Sequence, residues 1–240
     1  MTRARRAFGT ETRFRPGWKM SAFVAFFLPV TIALGVWQLA RAAEKVKLEE
    51  AFLARQGELP VAAVDVAMLA PFTRVRLHGR YDPERYFLLD NRTLDGHVGY
   101  DVIALFVTAD EKTYFVNRGF VFGGARRDAW PTVTTPSEDV TIVGMIWRDD
   151  RAGFELPESA YSGRWPERIE KVDLARMVAR VGAGEPAEIR IEPGAPGALS
   201  ARFDAPSFSP ETNYGYAVQW FALAIALVVL FVVFARRGGA

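Results

Sequence analysis

The sequence contains no cysteine and only two histidines, His78 and His97. Without cysteine there is no disulfide framework, no thiol nucleophile and no thiolate metal site. With two histidines, neither in a GxSxG or HExxH setting, the usual nucleophile–base pairs and three-ligand zinc sites lack their parts. The glycines of "GHVGY" (96–100) do not open a helix, as a phosphate-binding loop would. The carboxylate pair Asp149/Asp150 lies in turn-like sequence and reads as solvated. This points away from an enzyme. An excess of basic charge is confined to the tails: without the basic termini the middle of the chain is mildly acidic, which argues against nucleic acid as a partner.

Two long stretches lack charge altogether, Met20 to Leu39 and Tyr214 to Ala235. A membrane-crossing helix needs about 20 apolar residues, and both runs meet that length. The first competes with a cleaved secretory signal, because "LARAA" (39–43) holds an A-x-A pattern, but a signal's apolar core runs only about 7–15 residues. The uncleaved anchor is the reading adopted. Pro29 inside the run is tolerated in membrane helices. Arg3, Arg5, Arg6, Arg13, Arg15 and Lys19 flank the first run against a single acid, Glu11, and Arg236 and Arg237 follow the second. Positive flanks stay cytoplasmic. The expected plan is a basic cytoplasmic tail (1–19), a first span (20–40), an extracytoplasmic domain (41–213), a second span (214–235) and a short basic tail (236–240). An Arg-rich N-terminus also suits a mitochondrial inner-membrane protein, but it is short for a transit peptide, so a bacterial plasma membrane is preferred.

Residues 41–56 ("RAAEKVKLEEAFLARQ") are strong helix formers and should prolong the first helix until Gly57 and Pro60 stop it. Trp37 then sits in an interfacial aromatic belt. From Phe72 the period becomes two: Val75, Leu77 and Tyr81 alternate with Arg74, Arg76, His78 and Arg80, the pattern of a half-buried strand. The segments 85–90, 100–108, 113–121, 139–147 and 187–193 read as further strands, with 91–99 as a turn-rich loop holding an Asp-Gly pair. "DLARMVARVG" places Leu174, Met177, Val178 and Val181 at helical spacing between an Asp173 cap and a Gly182 stop. The expected fold is α+β: two transmembrane helices bracketing a mostly antiparallel β domain with a small helical part.

Several residues exceed this bland account. The row Arg74, Arg76, His78, Arg80 is either a solvated strand face that resists edge pairing or a stripe for anionic groups such as haem propionates or a partner's acids. Arg92, Gly96, Gly99 and Tyr100, and Asn117, Arg118 and Gly119 of "NRG", have turn chemistry as their plain explanation. At the opening of the second span, Tyr214, Tyr216 and Trp220 suit an aromatic belt. Gln219, just inside it, is expected to face another helix. Gln38 should lie at similar depth, so that the two glutamines bond each other or jointly face a third helix.

These pieces together resemble a known family. "GVWQLARAAEK" (35–45) is similar to the G-x-W-Q-x-x-R-x-x-x-K signature closing the first span of the Surfeit-locus (Shy) cytochrome oxidase assembly proteins. "NRTLDGHVGYDVIALF" (91–106) resembles their R-x-x-x-G-x-x-G-Y-x-V segment, "FVNRGFV" (115–121) their V-N-R-G-[FW]-V, and "YAVQWF" (216–221) their Y-A-x-x-W-[FY]. The order of motifs agrees from Pro16 to the C-terminus. The resemblance implies an assembly factor that helps mature subunit I of haem-copper cytochrome c oxidase, with a-type haem as a transient cofactor and oxidase subunits, other assembly factors and the bilayer as partners. It carries over to Trp37, Gln38, Arg41, Arg92, Gly96, Gly99, Tyr100, Asn117, Arg118, Gly119, Tyr216 and Trp220. Two departures stand out. "IALF" (103–106) replaces the family's T-P-L/F, and Asn213 stands where many members carry a histidine proposed as a haem-iron ligand. Axial ligation uses His, Met, Cys or Tyr. Either haem is not held there, or Tyr214 takes the role, or the protein acts without ligating iron. The alternative function is an accessory interaction subunit of a respiratory complex that never touches haem.

Overall fold

The computed structural model describes residues 17–62, 65–123, 130–148, 160–200 and 209–237. The basic residues before position 17, the side chain of Arg237, and Asp149/Asp150 lie outside the described residues. The chain divides into two compact units: residues 1–50 with 206–240, and residues 51–205.

In the first unit, α1 (Trp18–Gln56) begins just before the first uncharged run and stays helical through the charged stretch after Arg41. α3 (Pro210–Arg237) starts at Pro210 rather than at Tyr214. Proline is favoured at a first helical position, and Glu211 in the first turn suits the helix dipole. Both helices are long and apolar enough to cross a membrane, and their apolar windows are mostly exposed, as lipid-facing surface is. The protein is a membrane protein. The shielded positions on α1 recur at Val24, Leu28, Thr31, Gly35, Gln38 and Ala42. On α3 they recur at Pro210, Asn213, Ala217, Trp220, Ala224, Leu227 and Phe231. Steps of three and four residues define a left-handed coiled-coil seam. Small residues let two helices approach closely inside a membrane. Gly35 shows why: a Cβ there would stand 2.7 Å from the Phe221 ring.

The second unit is a mixed sheet. Its strands are β1 (Val61–Ala62), β2 (Arg74–Leu94), β3 (His97–Thr108), β4 (Thr113–Phe122), β5 (Val140–Trp147), β6 (Glu167–Ile169) and β7 (Glu188–Ile191), with α2 (Leu174–Val181) before the last. β2, β3 and β4 form the expected antiparallel meander. The later strands are less regular: β1 and β6 pair parallel to β2, and β7 runs parallel to β4. β7 also pairs with β5, and β5 returns to the first part of β2. The pairings β2–β3–β4–β7–β5–β2 therefore close on themselves as a five-stranded barrel, which removes the edges an open sheet would expose. Segment 91–99, expected as a loop, is instead the end of β2, a tight turn at Asp95 and Gly96, and the start of β3. Both turn residues have positive φ (51° and 80°), the backbone that an Asp-Gly hairpin supplies, so the strands run through to the tip.

Val75, Leu77, Tyr81, Ala104, Phe106, Val116, Ile142, Ile146 and Ile189 fill the barrel. On the outer face Phe87, Leu89, Ile103, Leu105 and Phe115 are covered by Met177 of α2 and by Ile169. α2 is delimited as its sequence implies: Asp173 accepts from the Arg176 amide, and Gly182 ends it in the left-handed region. The last turns of α1, from Ala51, belong to this unit. Phe52 meets Phe72 edge to face, and Phe72 meets Trp147. Arg55 also donates to the Pro71 carbonyl at 2.7 Å.

Asp173→Ala should lower the unfolding free energy by about 1 kcal/mol, the usual worth of an N-cap, with Asp173→Ser restoring most of it in urea titrations. Gly99→Ala should abolish the folded domain, because its Cβ would lie 2.2 Å from the Val121 carbonyl oxygen, a backbone atom fixed by the β3–β4 ladder. Native protein yield from membranes reads this directly.

Candidate functional site

The "NRG" segment is where β4 breaks its alternation. Ile103 faces Asn117, but Asp101 faces Phe120, so one extra residue is inserted on β4. Gly119 has φ +99° and makes this β-bulge possible. Asn117 Oδ1 accepts from the Gly119 amide at 3.0 Å and fastens it. Before the bulge Asn117 points outward and Arg118 inward. After it, Phe120 joins the outward face.

Arg118 is 1% exposed. Its guanidinium donates to the carbonyls of Gly197 and Thr134, each at 2.6 Å, and to Thr135 Oγ1 at 2.9 Å. It also lies 4.9 Å from the centroid of Tyr81. Burial lowers its pKa from the usual arginine value. Burial likewise pushes the Tyr81 hydroxyl up to about 12, and that hydroxyl donates to the Pro196 carbonyl. Arg118 thus ties the segments around residues 134 and 197 to the barrel wall. Its role is structural.

Outside the barrel the same bulge builds a polar pocket of about 200 Å³, lined among others by Arg92, Asp101, Asn117, Phe120, Arg190 and Ser200. Asn117 Nδ2 donates to Glu188 Oε1 at 2.8 Å, and Arg190 Nε donates to the same oxygen at 2.9 Å. The Arg190 guanidinium stacks on Trp147, 3.8 Å from the ring centroid. Arg92 Nε stands 3.1 Å from Asp101 Oδ2. That is an ion pair by distance, yet the buried Nε–H has no acceptor in line with it. Burial raises the Asp101 pKa above the ordinary carboxylate value, while Arg92, Arg190 and Asn117 oppose the rise.

The candidate residues separate into distinct places. Arg92, Asn117 and Gly119 meet in the pocket. Gly96 serves the hairpin tip, Gly99 the close strand approach, and Tyr100 packs with Leu88 and Val102. The basic row is not a uniform stripe. Arg74 pairs with Glu192 at 2.6 Å and His78 contacts Thr141, while Arg76 and Arg80 are exposed. In the helical unit Arg41 pairs with Glu44, and Trp37, Tyr214, Tyr216 and Gln219 are exposed. Gln38 does not meet Gln219. Its Oε1 accepts from Asn213 Nδ2 at 2.6 Å. The two residues occupy facing seam positions, whereas Gln219 lies off the seam.

Asn213 therefore forms a polar bond inside the helix pair, and its own Oδ1 is buried without a partner. An amide whose nitrogen is given to Gln38 does not fit a haem-iron ligand. Tyr214 points away from the seam, 45% exposed.

Sequence reasoning missed Asp101, Glu188, Arg190 and Ser200. Glu188 left a signal, since it is a carboxylate at the head of an apolar strand. Asn117→Ala should cost about 1–3 kcal/mol by removing a buried partner of Glu188. Asn117→Asp should cost more, because it sets another carboxylate against Glu188. Denaturant midpoints of the full chain compare the two. Because the native state holds the Asp101 proton to higher pH than the unfolded chain, the contribution of Asp101 is largest below the ordinary carboxylate pKa and falls as pH rises through the native value. The stability of wild type relative to Asp101→Asn should therefore decline from pH 4 to pH 7.

The SURF1 family model matches residues 25–225. A SURF1-like protein of Rickettsia conorii is 26% identical over 233 residues, covering 91% of this chain and 92% of its own length. A SURF1-like protein of Rickettsia felis is 25% identical, covering 91% and 98%. An uncharacterised SURF1-like protein of Mycobacterium bovis is 26% identical over 230 residues, covering 88% and 80%. With its motifs in order along two apolar helices and the barrel between them, this chain belongs to the SURF1 family.

Proposed function

We propose that this protein is an assembly factor for haem-copper cytochrome c oxidase. It stabilises subunit I while the a-type haem is inserted, and it acts by contact rather than catalysis. In this reading it sits in a bacterial plasma membrane with both termini inside and the barrel outside. The observation that carries the reading is the family match over residues 25–225, which takes in both helices and the barrel together. The a-type haem is the client's cargo, and the chain's own contribution is a pair of spans and a barrel surface offered to subunit I. A second reading, a lasting accessory subunit of a respiratory complex, is favoured by one specific feature: the Gln38–Asn213 bond places a helix-pairing contact where many members carry histidine.

Reduced-minus-oxidised spectra of membranes from a strain lacking the protein test this. The a-type signal should fall severalfold while b- and c-type signals persist, and a plasmid copy should restore it. An unchanged a-type signal, with any paralogue also removed, would contradict the assembly role. For the accessory reading, the chain should remain in the purified mature oxidase.

A further inference from the structure

Arg92 carries one of the unanswered buried groups among the described residues, and it is the one that opens on a pocket. Buried N–H donors are nearly always met by an acceptor, and one that is not calls for a reason. The Arg92 Nε–H lacks one although Asp101 is only 3.1 Å away, so this carboxylate is badly placed to hold it. The remainder of the side chain is open, at 42% exposure. Arg190 lines the same pocket from β7, with its position set by Glu188 and by Trp147 beneath its guanidinium. Two guanidinium groups at one small opening, that of Arg190 held in place and that of Arg92 free to turn, with Ser200 also in the lining, form a site for an anion.

We propose that this pocket takes a ligand carboxylate, which displaces Asp101 from Arg92 and is held between Arg92 and Arg190. Three considerations select the carboxylate. The cavity, about 200 Å³, is smaller than the roughly 300–1,000 Å³ of drug-sized or cofactor sites, so it takes one functional group and its stem. Arginine forks match the planar two-oxygen shape of a carboxylate. Asp101 stays nearby, so an anion of one charge is tolerated better than a phosphate carrying about 1.5 to 2. The apolar wall is Leu94, Phe120 and Ile191, and Phe120 continues edge to face into Phe122, which is 56% exposed. A carboxylate beside apolar groups fits this outline, whether it is a small free acid or an acidic side chain of a protein. The assignment is independent of which complex the protein serves.

The test is an amide NMR titration of the full chain in detergent with acetate, with N-acetyl-Phe-Asp-Phe amide and with inorganic phosphate, at constant ionic strength. Acetate and the peptide should shift the Gly119 and Ser200 amides saturably. Arg92→Lys should weaken binding about tenfold by losing the fork. Asp101→Asn should tighten it, because the competing carboxylate is gone, and a merely structural role for Asp101 predicts no gain. A peptide that binds more tightly than acetate assigns the source to a protein, and equal affinities assign it to a free acid. The proposal is overturned if no saturable carboxylate shift appears in wild type or Asp101→Asn, if phosphate binds more tightly, or if Arg92→Lys binds as wild type does.

Discussion

The inserted residue at Arg118–Gly119 is the constraint on which the β unit depends. A strand presents alternate residues to opposite faces, so one extra residue reverses the assignment beyond it. Here ordinary alternation after the inward Val116 turns Asn117 outward and Arg118 into the barrel, and the extra residue that follows brings Phe120 back to the outside, beside Asp101. Among the described residues the inward arginine has no carboxylate as a hydrogen-bond partner. It is met by two carbonyls, a hydroxyl and an aromatic face. A buried cation is costly unless such groups surround it. The segments at 134 and 197 that surround it are thereby fixed. The outward asparagine anchors Glu188, which in turn fixes Arg190. Three consecutive residues thus hold the covering segments to the barrel and shape the wall of its pocket.

The helical unit solves a different problem. In lipid, apolar side chains gain little by meeting one another, so close packing and polar contacts decide how helices pair. Thr31, Gly35 and Ala42 supply the closeness on α1, and Ala217 and Ala224 on α3. Gln38 and Asn213 supply the polar contact. A single polar pair in an otherwise apolar seam specifies register, as it does in soluble coiled coils. Position 213, where the resemblance led to an expectation of histidine, here serves helix pairing.

What could be read from the chain follows from how local each signal is. The alternation at 74–81, the Asp173 and Gly182 caps and the two uncharged runs are each written in one continuous stretch of chain, and each appears in the structure. Barrel closure is not local. β2 pairs with β3 through one part and with β5 through another, and nothing in residues 74–94 names the second partner. β6 is a strand of three residues whose pairing to β2 comes from packing rather than propensity. The Asp-Gly turn was visible, but its flanks are too polar to read as strand without the partner. Arg92 and Asp101 are near in sequence, whereas Arg190 reaches them only because β7 lies parallel to β4. On α1 and α3 the seam and the lipid face are both apolar, so hydrophobic periodicity is muted. The polar Gln38 did point to a helix contact, and its partner proved to be Asn213.

The proposed role in oxidase assembly works through protein contact, without an iron ligand at position 213. The most direct measurement is the optical spectrum of the protein purified from haem-replete membranes, taken with an assay for co-purified oxidase subunit I. The account predicts subunit I in the preparation and no Soret band attributable to the chain once subunit I is stripped away. A Soret band that stays with the stripped chain and disappears in Tyr214→Phe or Asn213→Leu would contradict it.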